Sequence, residues 1–125
     1  ILNFGHTFAH AYEASLNYSK KLNHGEAVLL GIISALRFSL DNKFLKKKEY
    51  LSIIDHFHKS NLPSNLKKYF SKKDVSKIIN FMTKDKKNKS KKINLILLKK
   101  IGSTLINQEF NKNYLIDFLK GELSY

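Results

Sequence analysis

The sequence predicts a mainly α-helical domain with a small β hairpin near its end. Three observations carry that expectation. Apolar residues recur at helical spacing along most of the chain. One late run, Ile93-Asn94-Leu95-Ile96-Leu97-Leu98, is rich in strand formers and bounded by charge. No strand followed by a glycine-rich loop occurs anywhere, so an N-terminal α/β nucleotide-binding domain is expected to be lacking from this chain.

The first helix is expected over about Gly5 to Asn17, with Asn3 ahead of it as a cap. A polar break, Tyr18 to Asn23, separates it from a second helix over about His24 to Leu40. That stretch is apolar on several faces through Leu36, which marks a buried central helix. After Asp41-Asn42-Lys43 a third helix runs from about Lys46 to His58, placing Tyr50, Ile53, Ile54 and Phe57 at helical spacing. The only proline lies in a turn, Asn61-Leu62-Pro63-Ser64. A fourth helix follows over about Lys72 to Thr83, and then a basic run from Lys84 to Lys92. The strand at Ile93 to Leu98 is expected to pair with a second short strand over Ile101 to Ile106, before a terminal helix from Asn113 to Leu119.

With 125 residues, 42% of them hydrophobic, the chain is sized for one domain, residues 1–125, and is too apolar for a disordered tail. It opens on Ile1, almost directly at its most informative motif, which raises the expectation of a piece of something longer. The longest apolar run, Ala27 to Ile33, is far too short to span a bilayer, and no secretory leader opens the chain. The absence of cysteine removes thiolate metal sites and suits a cytoplasmic protein, so any metal must be held by nitrogen and oxygen. A formal charge of +13 invites a nucleic-acid reading. Yet 22 of the 23 basic residues are lysine, Arg37 being the exception, whereas phosphate and base recognition favour arginine's fork. The charge is better suited to drawing in a small anionic substrate.

Chemistry concentrates in three histidines. His6 and His10, four residues apart, share one helix face, and His24 opens the second helix, where the positive end of the dipole favours an anionic ligand. Small residues around the first pair, Gly5, Ala9, Ala11 and Ala14, let another backbone or a substrate approach closely. Catalytic zinc commonly combines histidines with a carboxylate, and Glu13 or Glu26 could supply it. Glu26 could instead orient a histidine from behind. His56 and His58 flank Phe57 and read as structural.

Two blocks, Leu2-Asn3-Phe4-Gly5-His6-Thr7-Phe8-Ala9-His10-Ala11-Tyr12-Glu13-Ala14 and Leu22-Asn23-His24-Gly25-Glu26-Ala27-Val28, closely resemble the signature of the 3-dehydroquinate synthase family. Asp85-Lys86-Lys87 and the strand leading to Ile101-Gly102 are similar to its downstream block, so the resemblance spans nearly the whole chain. The family pattern usually has glycine where this chain has Ala9, a change expected to be tolerated if no neighbour packs tightly there.

The resemblance implies the helical C-terminal metal- and substrate-binding domain of that enzyme, a carbon–oxygen lyase of the shikimate pathway and aromatic amino acid biosynthesis. It implies conversion of 3-deoxy-D-arabino-heptulosonate 7-phosphate to 3-dehydroquinate plus phosphate, with catalytic NAD and Zn2+ (or Co2+). His6 and His24 would be metal ligands, and His10 would touch substrate and take part in proton transfer. Asn3 would bind substrate, as would a lysine of the Asp85-Lys86-Lys87 block, with Lys86 favoured as catalytic over Lys87. The third ligand, a glutamate, and the NAD site belong in the family to a region upstream of this motif, so the isolated chain is expected to be inactive. The expected partners are that N-terminal domain, a second copy in a homodimer and the anionic sugar phosphate, with no nucleic acid or membrane. A sibling sugar-phosphate cyclase of the inosose type is the nearest alternative, and a basic nucleic-acid-binding module is a more distant one.

Overall fold

The computed structural model describes residues 5–17, 21–62, 65–83, 92–98 and 105–124. Its helices are α1 (His6–Ser15), α2 (His24–Asp41), α3 (Lys47–Lys59), α4 (Val75–Thr83) and α5 (Lys112–Glu122). Strands β1 (Lys92–Leu98) and β2 (Leu105–Asn111) form a two-stranded antiparallel sheet, with Ile93 opposite Phe110 and Leu98 opposite Leu105.

The expected buried central helix is α2. Its buried positions, among them Ala27, Leu30, Ile33, Leu36 and Phe38, do not fall on a single stripe, because neighbours cover it from more than one side. Its start is set by a reciprocal cap. The Asn23 side chain accepts from the Glu26 N–H at 2.8 Å, and the Glu26 carboxylate accepts from the Asn23 N–H at 3.0 Å. Two of the four otherwise orphaned donors at a helix start are thereby satisfied.

Helix α1 begins differently. No side chain caps it, and Gly5 precedes it with φ of 74°, a left-handed conformation that glycine adopts without steric cost. The cap expected from Asn3 lies outside the described residues. Gly5 also sits against the backbone of α2, where a Cβ on it would lie 2.7 Å from the Gly31 carbonyl carbon. In return, a Cβ on Gly31 would lie 2.5 Å from the Gly5 oxygen and 2.9 Å from the Ala9 Cβ. The helices cross backbone to backbone at this point. A neighbour therefore does pack tightly on Ala9, and the methyl is accommodated because the facing residue is glycine.

The core gathers Phe8 and Tyr12 of α1, Leu30 and Phe38 of α2, Ile78 of α4, Ile93 and Leu95 of β1, Phe110 of β2, and Leu115, Phe118 and Leu119 of α5. A satellite cluster lies under α3, which sets Ile54 and Phe57 on Ile33. His56 and His58 are exposed on α3, as befits residues without a packing role.

Arg37 joins three helices. Its Nε donates to the Tyr50 hydroxyl at 2.8 Å and its Nη1 to a Glu122 carboxylate oxygen at 2.9 Å, linking α2 to α3 and α5. Replacing Arg37 with Met strands both partners in a half-buried setting and is expected to cost about 1–2 kcal/mol. An unchanged midpoint in urea denaturation would refute that.

Two differences from the expected element boundaries have a clear physical cause. Residues 72–74 form a 3₁₀ turn that leads into α4, its start closed by the Ser71 N–H donating to Asp74 at 2.8 Å. The described second strand runs from Leu105 to Asn111, past the expected end at Ile106, and the expected start at Ile101 falls on residues 101–104, outside the described set. Polar residues 107–109 lie beyond the strand expected from the sequence. They are strand here because the ladder with β1 continues through them and carries Phe110 into the core.

Candidate metal and substrate site

The site follows from how α1 is anchored. Phe8, Ala11, Tyr12 and Ser15 are buried on one side of it. The Tyr12 hydroxyl is hydrogen-bonded to Ser34 of α2, and its complete burial pushes its pKa above tyrosine's ordinary range. With that face fixed, helical geometry sends positions 6, 10 and 13 the other way. His6 and His10 are exposed there and Glu13 is half-buried.

The His6 and His10 ring centroids lie 4.0 Å apart. The His6 pKa is held below its ordinary value, first by partial burial and then by the neighbouring His10 and His24, with Glu13 acting in the opposite sense. That favours the neutral imidazole, the form that can donate a lone pair to a metal.

His24, the first residue of α2, completes the group from the adjoining helix. Its Nδ1 lies 3.0 Å and 3.1 Å from the two Glu13 carboxylate oxygens. The Glu13 side chain is 12% exposed and that of His24 70%, so the carboxylate is seated and the ring is open to solvent.

Glu26 serves elsewhere. One oxygen closes the α2 cap and the other accepts from the Tyr69 hydroxyl at 2.9 Å. The Asn23 N–H, followed by the Tyr69 hydroxyl, holds the Glu26 pKa below the usual carboxylate value. Glu26 therefore neither orients a histidine nor offers a free oxygen. Of the two carboxylates considered from the sequence, Glu13 is the one that touches the histidine array, and it does so from behind the His24 ring.

Among the described residues no cluster of three or more His, Cys, Asp or Glu side chains is arranged to hold a metal by itself. What is present is two converging helices carrying three imidazoles, one of them backed by a carboxylate. That donor set fits the histidine part of a two-histidine, one-carboxylate centre. Asn3, Lys86 and Lys87, expected to contact substrate, lie outside the described residues. Sequence reasoning missed the tie from Tyr69 to Glu26, for which no local signal exists. It also missed Gly31, although a lone glycine inside a buried helix is itself a sign of close backbone approach.

Comparison with known proteins identifies the family of the chain. Residues 1–88 match the sequence family described as 3-dehydroquinate synthase C-terminal. A 3-dehydroquinate synthase of Pelagibacter ubique (strain HTCC1062) is 58% identical over 124 residues, covering 99% of this chain and 34% of the relative. The enzyme of that name from Vesicomyosocius okutanii is 39% identical over 122 residues, 98% of this chain and 32% of the relative. The one from Zymomonas mobilis is 34% identical over 124 residues, 99% of this chain and 33% of the relative. The chain thus spans about a third of the length of the curated relatives it matches. With its histidine-bearing helices inside the matched region, the chain belongs to the 3-dehydroquinate synthase C-terminal family.

Proposed function

We propose that this chain forms the metal- and substrate-binding part of a 3-dehydroquinate synthase, turning 3-deoxy-D-arabino-heptulosonate 7-phosphate into 3-dehydroquinate with loss of phosphate. The observation that carries the reading is the side-by-side pairing of His6 and His10 on α1, with His24 at the start of α2 tied to the same helix through Glu13. His6 and His24 would hold Zn2+ or Co2+, and the remaining carboxylate ligand would come from a partner domain. The metal, when bound, would supply Lewis-acid polarisation of a substrate hydroxyl. NAD would supply reversible hydride transfer, and we assign no residue of this chain to holding it.

His10 lies beside His6 without a carboxylate partner among the contacts described, which suits it to face substrate and move a proton. Asn3, Lys86 and Lys87 would grip the substrate's anionic groups, and the lysine-rich surface would raise the local concentration of a sugar phosphate. A homodimeric, cytoplasmic enzyme is the proposed setting. No described helix is long and apolar enough to cross a membrane.

The test is a chimera in which this chain replaces the corresponding third of the Pelagibacter relative, assayed for phosphate release with NAD and Zn2+. The chimera is expected to be active, and His6→Ala and His24→Ala are each expected to lose both bound metal and turnover. His10→Ala should lose turnover while keeping metal. Full metal content and full activity in the His6 and His24 variants would overturn the assignment.

A further inference from the structure

We propose that Glu13 is the positioning residue that sets the tautomer and orientation of His24. The inference rests on His24 being a metal ligand only for its consequence, since the contact itself is independent of any metal.

Both Glu13 oxygens lie at nearly equal distances, 3.0 and 3.1 Å, from a single ring nitrogen, Nδ1 of His24. A carboxylate accepts and does not donate, so this nitrogen carries the hydrogen. The neutral ring then keeps its lone pair on Nε2, at the opposite edge. A metal bound at Nε2 lies across the ring from Glu13, which removes Glu13 from the same coordination shell and makes it the outer partner of a carboxylate–histidine pair.

Placement supports the role. Glu13 lies one helical turn beyond His10 on the same stripe of α1, whereas His24 is the first residue of α2. The carboxylate is mostly covered while the ring it holds is 70% exposed. An exposed imidazole on its own would rotate about its side-chain bonds and favour neither nitrogen strongly. Anchored from α1, it presents one nitrogen in one direction, and the two helices that bear His6 and His24 are tied at the site. The buried Tyr12–Ser34 hydrogen bond and the Gly5–Gly31 crossing fix α1 on α2, so Glu13 reaches His24 from a rigid base.

The direct test is the tautomer of His24 in the metal-free 125-residue chain, read from the ring 15N shifts of histidine-labelled protein near pH 8. The wild-type chain is expected to show Nδ1–H with a lone pair on Nε2. Glu13→Gln, which keeps size but removes the charge, is expected to shift His24 toward Nε2–H, with Glu13→Asp restoring part of the wild-type signal. In the chimera described above, Glu13→Gln is expected to weaken Zn2+ binding by about 10- to 100-fold.

Nε2–H on His24 of the wild-type chain would overturn the proposal whatever the variants do. So would an unchanged tautomer and unchanged Zn2+ affinity in Glu13→Gln. If the wild-type tautomer is as expected but Zn2+ leaves the His24 signals of the chimera unmoved, the positioning stands and the ligand assignment of His24 falls.

Discussion

Phe38→Ala is expected to cost about 3–5 kcal/mol of unfolding free energy, a large share of what a domain of this size has. Phe38 is 2% exposed and stands where α2, β2 and α5 meet. Its ring lies edge-on to Phe110 at 4.8 Å and to Phe118 at 5.1 Å, with Phe8 of α1 at 6.4 Å. Removing it opens a cavity lined by rings from three other elements, none of which can collapse inward without leaving its own partners. Urea denaturation of the two proteins measures the loss, and Leu51→Ala, at a position 51% exposed, serves as a control expected to be nearly neutral. A loss below about 1 kcal/mol at Phe38 would mean that the hairpin and α5 do not close over α2 as described.

Gly31→Ala is expected to destabilise the protein by about 1–3 kcal/mol through overpacking. The sign is the informative part, because alanine in a helix interior is intrinsically better than glycine by about 1 kcal/mol. Packing decides against propensity here. The added methyl would sit 2.5 Å from the Gly5 oxygen and 2.8 Å from the Ala9 nitrogen, both backbone atoms that cannot swing aside. Relief requires the start of α1 to move off α2, and His6 is the first residue of α1. The same substitution should therefore disturb the ring signals of His6 more than those of His56, which is exposed on α3. A variant as stable as the parent, with His6 unperturbed, would refute the tight crossing.

Much of this was legible in the linear pattern. The α2 stretch shows apolar residues all round, and a helix of that kind has to be buried. The i, i+4 spacing of His6 and His10 requires a shared face once α1 is helical, and the core residues Phe8 and Tyr12 decide which way that face looks. Boundaries were harder where side-chain type and role part company. Residues 107–109 are polar yet lie in strand, because a ladder partner across the hairpin satisfies their backbone whatever their side chains are.

The two glutamates mark the limit most clearly. Glu13 follows His10 by three residues and Glu26 follows His24 by two, and spacing alone leaves each of them open to metal, to a ring or to a cap. Glu26 is committed to the Asn23 cap and to Tyr69, which is 43 residues away, while Glu13 of α1 meets a histidine 11 residues on, at the start of α2. Residue type and periodicity determine which elements form and which face of each is apolar, because those depend on near neighbours. Which carboxylate backs His24, and how closely α1 approaches α2, are settled by contacts between elements distant in sequence. Such contacts exist only after the helices have packed.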